Sequence, residues 1–175
     1  MLVAVRRLPM GEALPAAGLL LLALSALGPR PVLIGLAWLA AVTPRLVAID
    51  LAEHRLPDAI VLPGHPVVLA AVLLDGWSTG TGALPAVLAG ATYGLVVLLL
   101  HVTGGMGFGD VKLAPLLGAL AAQAVPGGAV LAVVLAFLAG GLAAAAVLLR
   151  RGAQARMAFG PAMLLGAWAA IALLA

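Results

Sequence analysis

Apolar residues fall in seven long runs, at about 13–28, 32–50, 59–74, 83–102, 111–124, 128–149 and 158–174. Crossing the hydrocarbon of a bilayer takes roughly 17–25 such residues, and most of the runs fit. The fifth is short, which allows a tilted or partly re-entrant segment.

The breaks between runs have chemical causes. Gly28-Pro29-Arg30-Pro31 cannot continue a helix. Glu53-His54-Arg55-Leu56-Pro57-Asp58 is the most polar stretch, and 75–82 reads as a flexible polar loop. Gly104-Gly105-Met106-Gly107-Phe108-Gly109 is a glycine run. Pro126-Gly127-Gly128 and Arg150-Arg151-Gly152 complete the set. The expected fold is an all-α polytopic integral membrane protein, a bundle of six to seven transmembrane helices forming a single domain over 1–175. The first run, preceded by Arg6 and Arg7, also fits a signal peptide. Either reading leaves the later topology unchanged.

Composition agrees. The chain has 175 residues, 65% hydrophobic and 9% charged, and its mean hydropathy is +1.26. Soluble domains carry roughly 45–50% apolar and about 25% charged residues. An ordinary soluble domain and a disordered chain are excluded. So is a nucleic-acid binder: despite a pI near 10.7, the net charge is only +3 and the basic residues stand singly or in pairs at the ends of apolar runs. With the N-terminus inside, one face receives Arg6, Arg7, Arg55, Lys112, Arg150, Arg151 and Arg156, and the other receives only Arg30. Arg45 lies within the second run. This bias places the loops at 51–58 and 103–110 in the cytoplasm and the C-terminus outside. There is no cysteine, hence no thiolate zinc site and no cysteine nucleophile. No HExxH motif or other metal-ligand spacing occurs.

Six acids are present. Glu12 and Asp75 read as solvated ends. Asp50 and Asp110 directly abut apolar segments on the same side of the membrane, where an ionisable group is expensive and points to function. Two carboxylates brought close share a proton. One then takes a proton from water while the other protonates a carbonyl oxygen. Gly104, Gly105, Gly107 and Gly109 strip side chains from the approach to Asp110, leaving bare backbone against which an extended substrate can lie. Solvated helix ends and an interhelical turn are the plain alternatives.

Gly107-Phe108-Gly109-Asp110 resembles the GxGD motif of membrane aspartyl proteases. The longer string through Val111-Lys112-Leu113 is similar to that of type IV prepilin peptidases. Ile49-Asp50-Leu51 with Pro57-Asp58 resembles a second block of that family, and Phe159-Gly160-Pro161 a third. The resemblance covers about 49–161. It implies that Asp50 and Asp110 are the catalytic pair and that Asp58 is an accessory, substrate-orienting acid. It implies cleavage of the basic leader of prepilins or pseudopilins at the cytoplasmic face of a bacterial-type plasma membrane, with the substrate's hydrophobic helix in the lipid and no metal or organic cofactor. Larger members add CxxC zinc motifs and N-methylation. The absence of cysteine resembles the short, peptidase-only form associated with Flp/Tad systems, without methyltransferase activity. Lys112 is expected to orient Asp110 or the substrate backbone, and Gly105, Gly107 and Gly109 to receive the substrate.

Other signals are weaker. Gly76-Trp77-Ser78-Thr79-Gly80 fits GxSxG but lacks the strand–turn–helix setting that motif needs. His54 reads as a loop residue and His101 as a packed one. Gly90 and Gly94 form a close helix contact. The competing functions are a proton-coupled transporter or channel, whose acids would lie near the midplane, and a catalytically inactive pilus-assembly scaffold.

Overall fold

The computed structural model describes residues 10–151 and 157–175. Arg6, Arg7 and Arg156, used above for orientation, lie outside the described residues. The described residues form eight α-helices: α1 (Met10–Leu27), α2 (Val32–Glu53), α3 (Asp58–Val61), α4 (Gly64–Thr79), α5 (Leu84–Val102), α6 (Phe108–Ala124), α7 (Gly128–Arg151) and α8 (Gly160–Leu174). They contain no strand. Among them, four segments are long and apolar enough to cross a membrane: Val32–Glu53, Asp58–Thr79, Leu84–Val102 and Gly128–Arg150. Gly11–Leu27 and Gly160–Leu174 are shorter apolar helices.

The helix boundaries follow local chemistry. α2 ends at His54, whose left-handed φ of 52° lets its N–H bond to the Asp50 carbonyl. Pro57 then excludes further helix. The third apolar run is split: α3 is a single turn, and Pro63, which has no N–H, stands at the N-cap of α4. α5 closes through Gly104, at φ +81°, a conformation that glycine adopts without strain. α6 starts at Phe108 with Gly107 as its N-cap. The fifth run forms the body of α6, which extends it by three residues at its start.

α6 runs through the middle of the bundle. Leu113, Leu117 and Leu120 are fully buried on it. Against it lies α5, seated by glycine: a Cβ at Gly90 would meet the Pro115 carbonyl and Ala119, and one at Gly94 would meet the Pro115 ring. α8 packs on α7 in the same way, with Gly166 against Ala132 and Ala136. Leu36, Leu39 and Leu46 of α2 complete the core. The outer surface is apolar too, with Leu73, Leu88, Leu95, Leu99, Leu138 and Leu142 all exposed. That inversion suits a solvent made of lipid.

Three expectations are corrected. Residues 75–79 are not a loop, because α4 continues to Thr79, helped by the Ser78 and Thr79 hydroxyls donating to the Asp75 carbonyl. Asp75 is not solvated either; it is 0% exposed. Its carboxylate accepts from Arg30 Nη2 (2.6 Å) and Nε (3.3 Å), from the Val32 N–H (3.1 Å) and from Gln123 Nε2 (2.9 Å). Arg30 also donates to the Gln123 and Ala124 carbonyls. A buried charge is tolerable only when paired and hydrogen-bonded, and here it ties α2, α4 and α6 at one end of the bundle. Glu12, expected before the first helix, is half-buried in the first turn of α1.

Candidate active site

The opposite end of the bundle gathers four pieces of chain: the last turn of α2, the 54–57 loop, the first turn of α6 and the first turn of α8. Asp50 points inward from α2 and is 4% exposed. Its Oδ2 accepts a hydrogen bond from the Gly160 N–H at 2.9 Å. Gly160 is the first residue of α8, so the carboxylate faces the positive end of that helix. A side chain at 160 is impossible without movement, since a Cβ there would lie 2.7 Å from Asp50 Oδ2.

Asp110 sits in the first turn of α6 and is 6% exposed. Its Oδ2 reaches back to accept from the Gly107 N–H at 3.3 Å, satisfying a donor that the helix itself leaves free. Leu56 bridges the backbones that carry these contacts: a Cβ at Gly109 would come within 2.8 Å of its Cβ, and one at Gly160 within 3.3 Å of its Cδ2. Each carboxylate is therefore held through one oxygen by a backbone N–H. Neither Oδ1 has a hydrogen-bond partner among the described residues.

The remaining expected site residues fall around this pair. Asp58, in the single turn of α3, pairs with Lys112 Nζ at 2.6 Å. Lys112 also lies over the Phe108 ring at 4.7 Å. It reaches Asp58 rather than Asp110. Gly105 closes the end of α5 by donating to the Leu100 carbonyl. His101 Nδ1 donates to the Met106 carbonyl at 2.8 Å and its ring rests against Phe108, bracing the glycine run. His54 follows Asp50 by one helical turn. Arg45 forms no ion pair among the described residues. No cluster of three or more His, Cys, Asp or Glu able to hold a metal occurs among the described residues.

Two cavities flank the segment leading into α8. One, of about 560 Å³, is lined by Leu51, His54, Arg150 and Pro161 among others. The other, of about 260 Å³, lies against Gly105, Met106, Phe137 and Phe159. Three contributors have no role that the sequence assigns. Leu56 carries no sequence signal beyond lying in a polar loop. The Gly160 N–H belongs to the Phe-Gly-Pro block, but its contact with Asp50 spans 110 positions. Tyr93 is the third: it is buried on α5, and its hydroxyl has no partner among the described residues.

A helical membrane bundle with a buried carboxylate pair at one end is the class of protein that this architecture defines. A sequence profile of the type IV leader peptidase family matches residues 33–149, about two thirds of the chain, and the protein belongs to that family. It is accordingly a protease. The matched range runs from the start of α2 into the last turn of α7; α8 and its contact with Asp50 lie beyond it. Searches of curated proteins and of solved structures returned no match.

Proposed function

We propose that this protein is an aspartic endopeptidase that removes the leader from type IV prepilin-like precursors at the cytoplasmic face of a bacterial-type plasma membrane, with Asp50 and Asp110 as its catalytic residues. The observation that supports this most strongly is the convergence of these two acids. They come from helices 60 positions apart in sequence, both are buried, and each has one oxygen fixed and the other free.

The chemistry follows from that arrangement. A water held between the free oxygens loses a proton to one carboxylate as it attacks the scissile carbonyl carbon. The other carboxyl gives its proton to the carbonyl oxygen. The tetrahedral intermediate then collapses, the C–N bond breaks, and a proton passes to the departing nitrogen. The cavities beside Met106 and Pro161 lie against the glycine run and the start of α8, where a substrate chain can rest. Asp58 is 57% exposed despite its pairing with Lys112, which leaves it open to a basic leader. The glycine run faces the cytoplasm with the active site, and the C-terminus lies outside.

A proton-relay transporter fits less well. The buried acids among the described residues are Asp50, Asp110 and Asp75. The first two are at one end of the bundle and the third is locked in an ion pair at the other, so no acid among them bridges the interior. The test is co-expression with a prepilin carrying a basic leader, followed by gel shift and N-terminal sequencing. Cleavage at the leader boundary by the wild type, absent in Asp50→Asn and Asp110→Asn proteins that reach the membrane, is the expected result. Processing that persists in either variant refutes the two-aspartate assignment.

A further inference from the structure

The contact that holds Asp50 adjoins α7, which carries no acid of the pair. The Gly160 N–H that holds Asp50 Oδ2 lies one residue after Phe159, the N-cap of α8. The Phe159 ring packs against Gly140 of α7: a Cβ at that position would clash with the ring edge at Cε2. Phe137, nearly one turn earlier on α7, flanks the ring with centroids 5.5 Å apart. At the next glycine, Gly141, an added Cβ would have nothing within 4 Å, so the requirement is specific to one residue of the pair.

We propose that Gly140 is a positioning residue for Asp50. Its missing side chain seats Phe159, the seated ring fixes the start of α8, and the Gly160 N–H then holds one oxygen of Asp50 while the other is presented to water. A ring lifted from Gly140 drags the backbone at 159–160, and an N–H displaced by about 1 Å no longer holds the carboxylate. Displacements of that size cost up to about 100-fold in rate. The consequence for catalysis rests on the aspartic peptidase reading above; the coupling between Gly140 and Asp50 does not.

The test uses the full chain in nanodiscs, with a purified prepilin as substrate. In Gly140→Ala, kcat falls about 10- to 100-fold while KM stays within about two-fold. Gly141→Ala, which adds a methyl to the same cavity without meeting the ring, loses clearly less kcat than Gly140→Ala. Adding Phe159→Leu to Gly140→Ala shrinks the ring and recovers part of the loss. A second measurement needs no substrate: the ¹³C carboxyl resonance of Asp50, identified by its loss in Asp50→Asn, moves in Gly140→Ala and not in Gly141→Ala. Should Gly140→Ala fail to fold, Phe159→Leu alone removes the wedge without a clash, and the same resonance moves. An unmoved resonance in the folded variant, or equal effects at 140 and 141, overturns the proposal. A wild-type protein that cleaves nothing while the resonance still moves overturns the peptidase reading and leaves the coupling standing.

Discussion

Asp50 and Asp110 are held by the same device, a backbone N–H at the start of a helix, but the device is local in one case and distant in the other. Gly107 and Asp110 are three positions apart, so the capping geometry is written in the motif itself. Gly160 and Asp50 are not neighbours in any local sense, and nothing short of the folded bundle brings them together. Lys112 shows the same limit. Its proximity to Asp110 in sequence points to that acid, whereas its side chain spans to Asp58, 54 positions away. Exposed pairs of this kind contribute at most about 1 kcal/mol. Lys112→Ala is therefore expected to change stability by less than about 1 kcal/mol, yet to slow leader cleavage several-fold by freeing α3 from α6. Lys112→Arg, which keeps a cation opposite Asp58, should retain most of the rate. A fully active Lys112→Ala protein contradicts any role for the pair in cleavage.

Helices are legible in the apolar runs because hydrophobic length and proline positions are local properties. The run at 59–74 is less so: Pro63 at the start of α4 divides it, leaving α3 as a single turn that carries Asp58 near the start of α6. The stretch at 75–79 reads as a loop because Gly, Ser and Thr are loop formers, while the Ser and Thr hydroxyls here bond back into the helix. The seating of α5 on α6 is visible in the Gly90 and Gly94 spacing, and its consequence is measurable. A Cβ at Gly90 would lie 2.5 Å from the Pro115 carbonyl oxygen. Gly90→Val is expected to destabilise the bundle by about 1–3 kcal/mol through overpacking, read as a lower thermal midpoint in detergent. Gly18→Val, where nothing lies within 4 Å, should leave that midpoint unchanged. Equal midpoints for the two variants would mean that the α5–α6 contact is not close.

The whole molecule is fastened differently at its two ends. At one, Arg30, Asp75 and Gln123 lock α2, α4 and α6 through a buried ion pair. At the other, the carboxylates of α2 and α6 are presented through single N–H contacts, beside two cavities. This division is not legible from the chain because Arg30 and Asp75 are 45 positions apart, and each alone resembles a solvated loop charge. Removing one partner of a fully buried pair costs about 3–5 kcal/mol. The Arg30 side chain is 28% exposed and retains some water, so Asp75→Asn is expected to cost less, about 2 kcal/mol. Its thermal midpoint should fall while the folded fraction cleaves at the wild-type rate. Loss of kcat in folded Asp75→Asn protein would show that the two ends are coupled. The joint action of Asp50 and Asp110 is tested most directly by a double-mutant cycle on kcat with purified wild type, Asp50→Asn, Asp110→Asn and the double variant. Groups that act as one unit are strongly non-additive. Each single substitution should lower kcat by at least about 10³-fold, and the double should lower it no further. Losses that multiply, or a single variant that retains substantial rate, would contradict a shared water-activating pair.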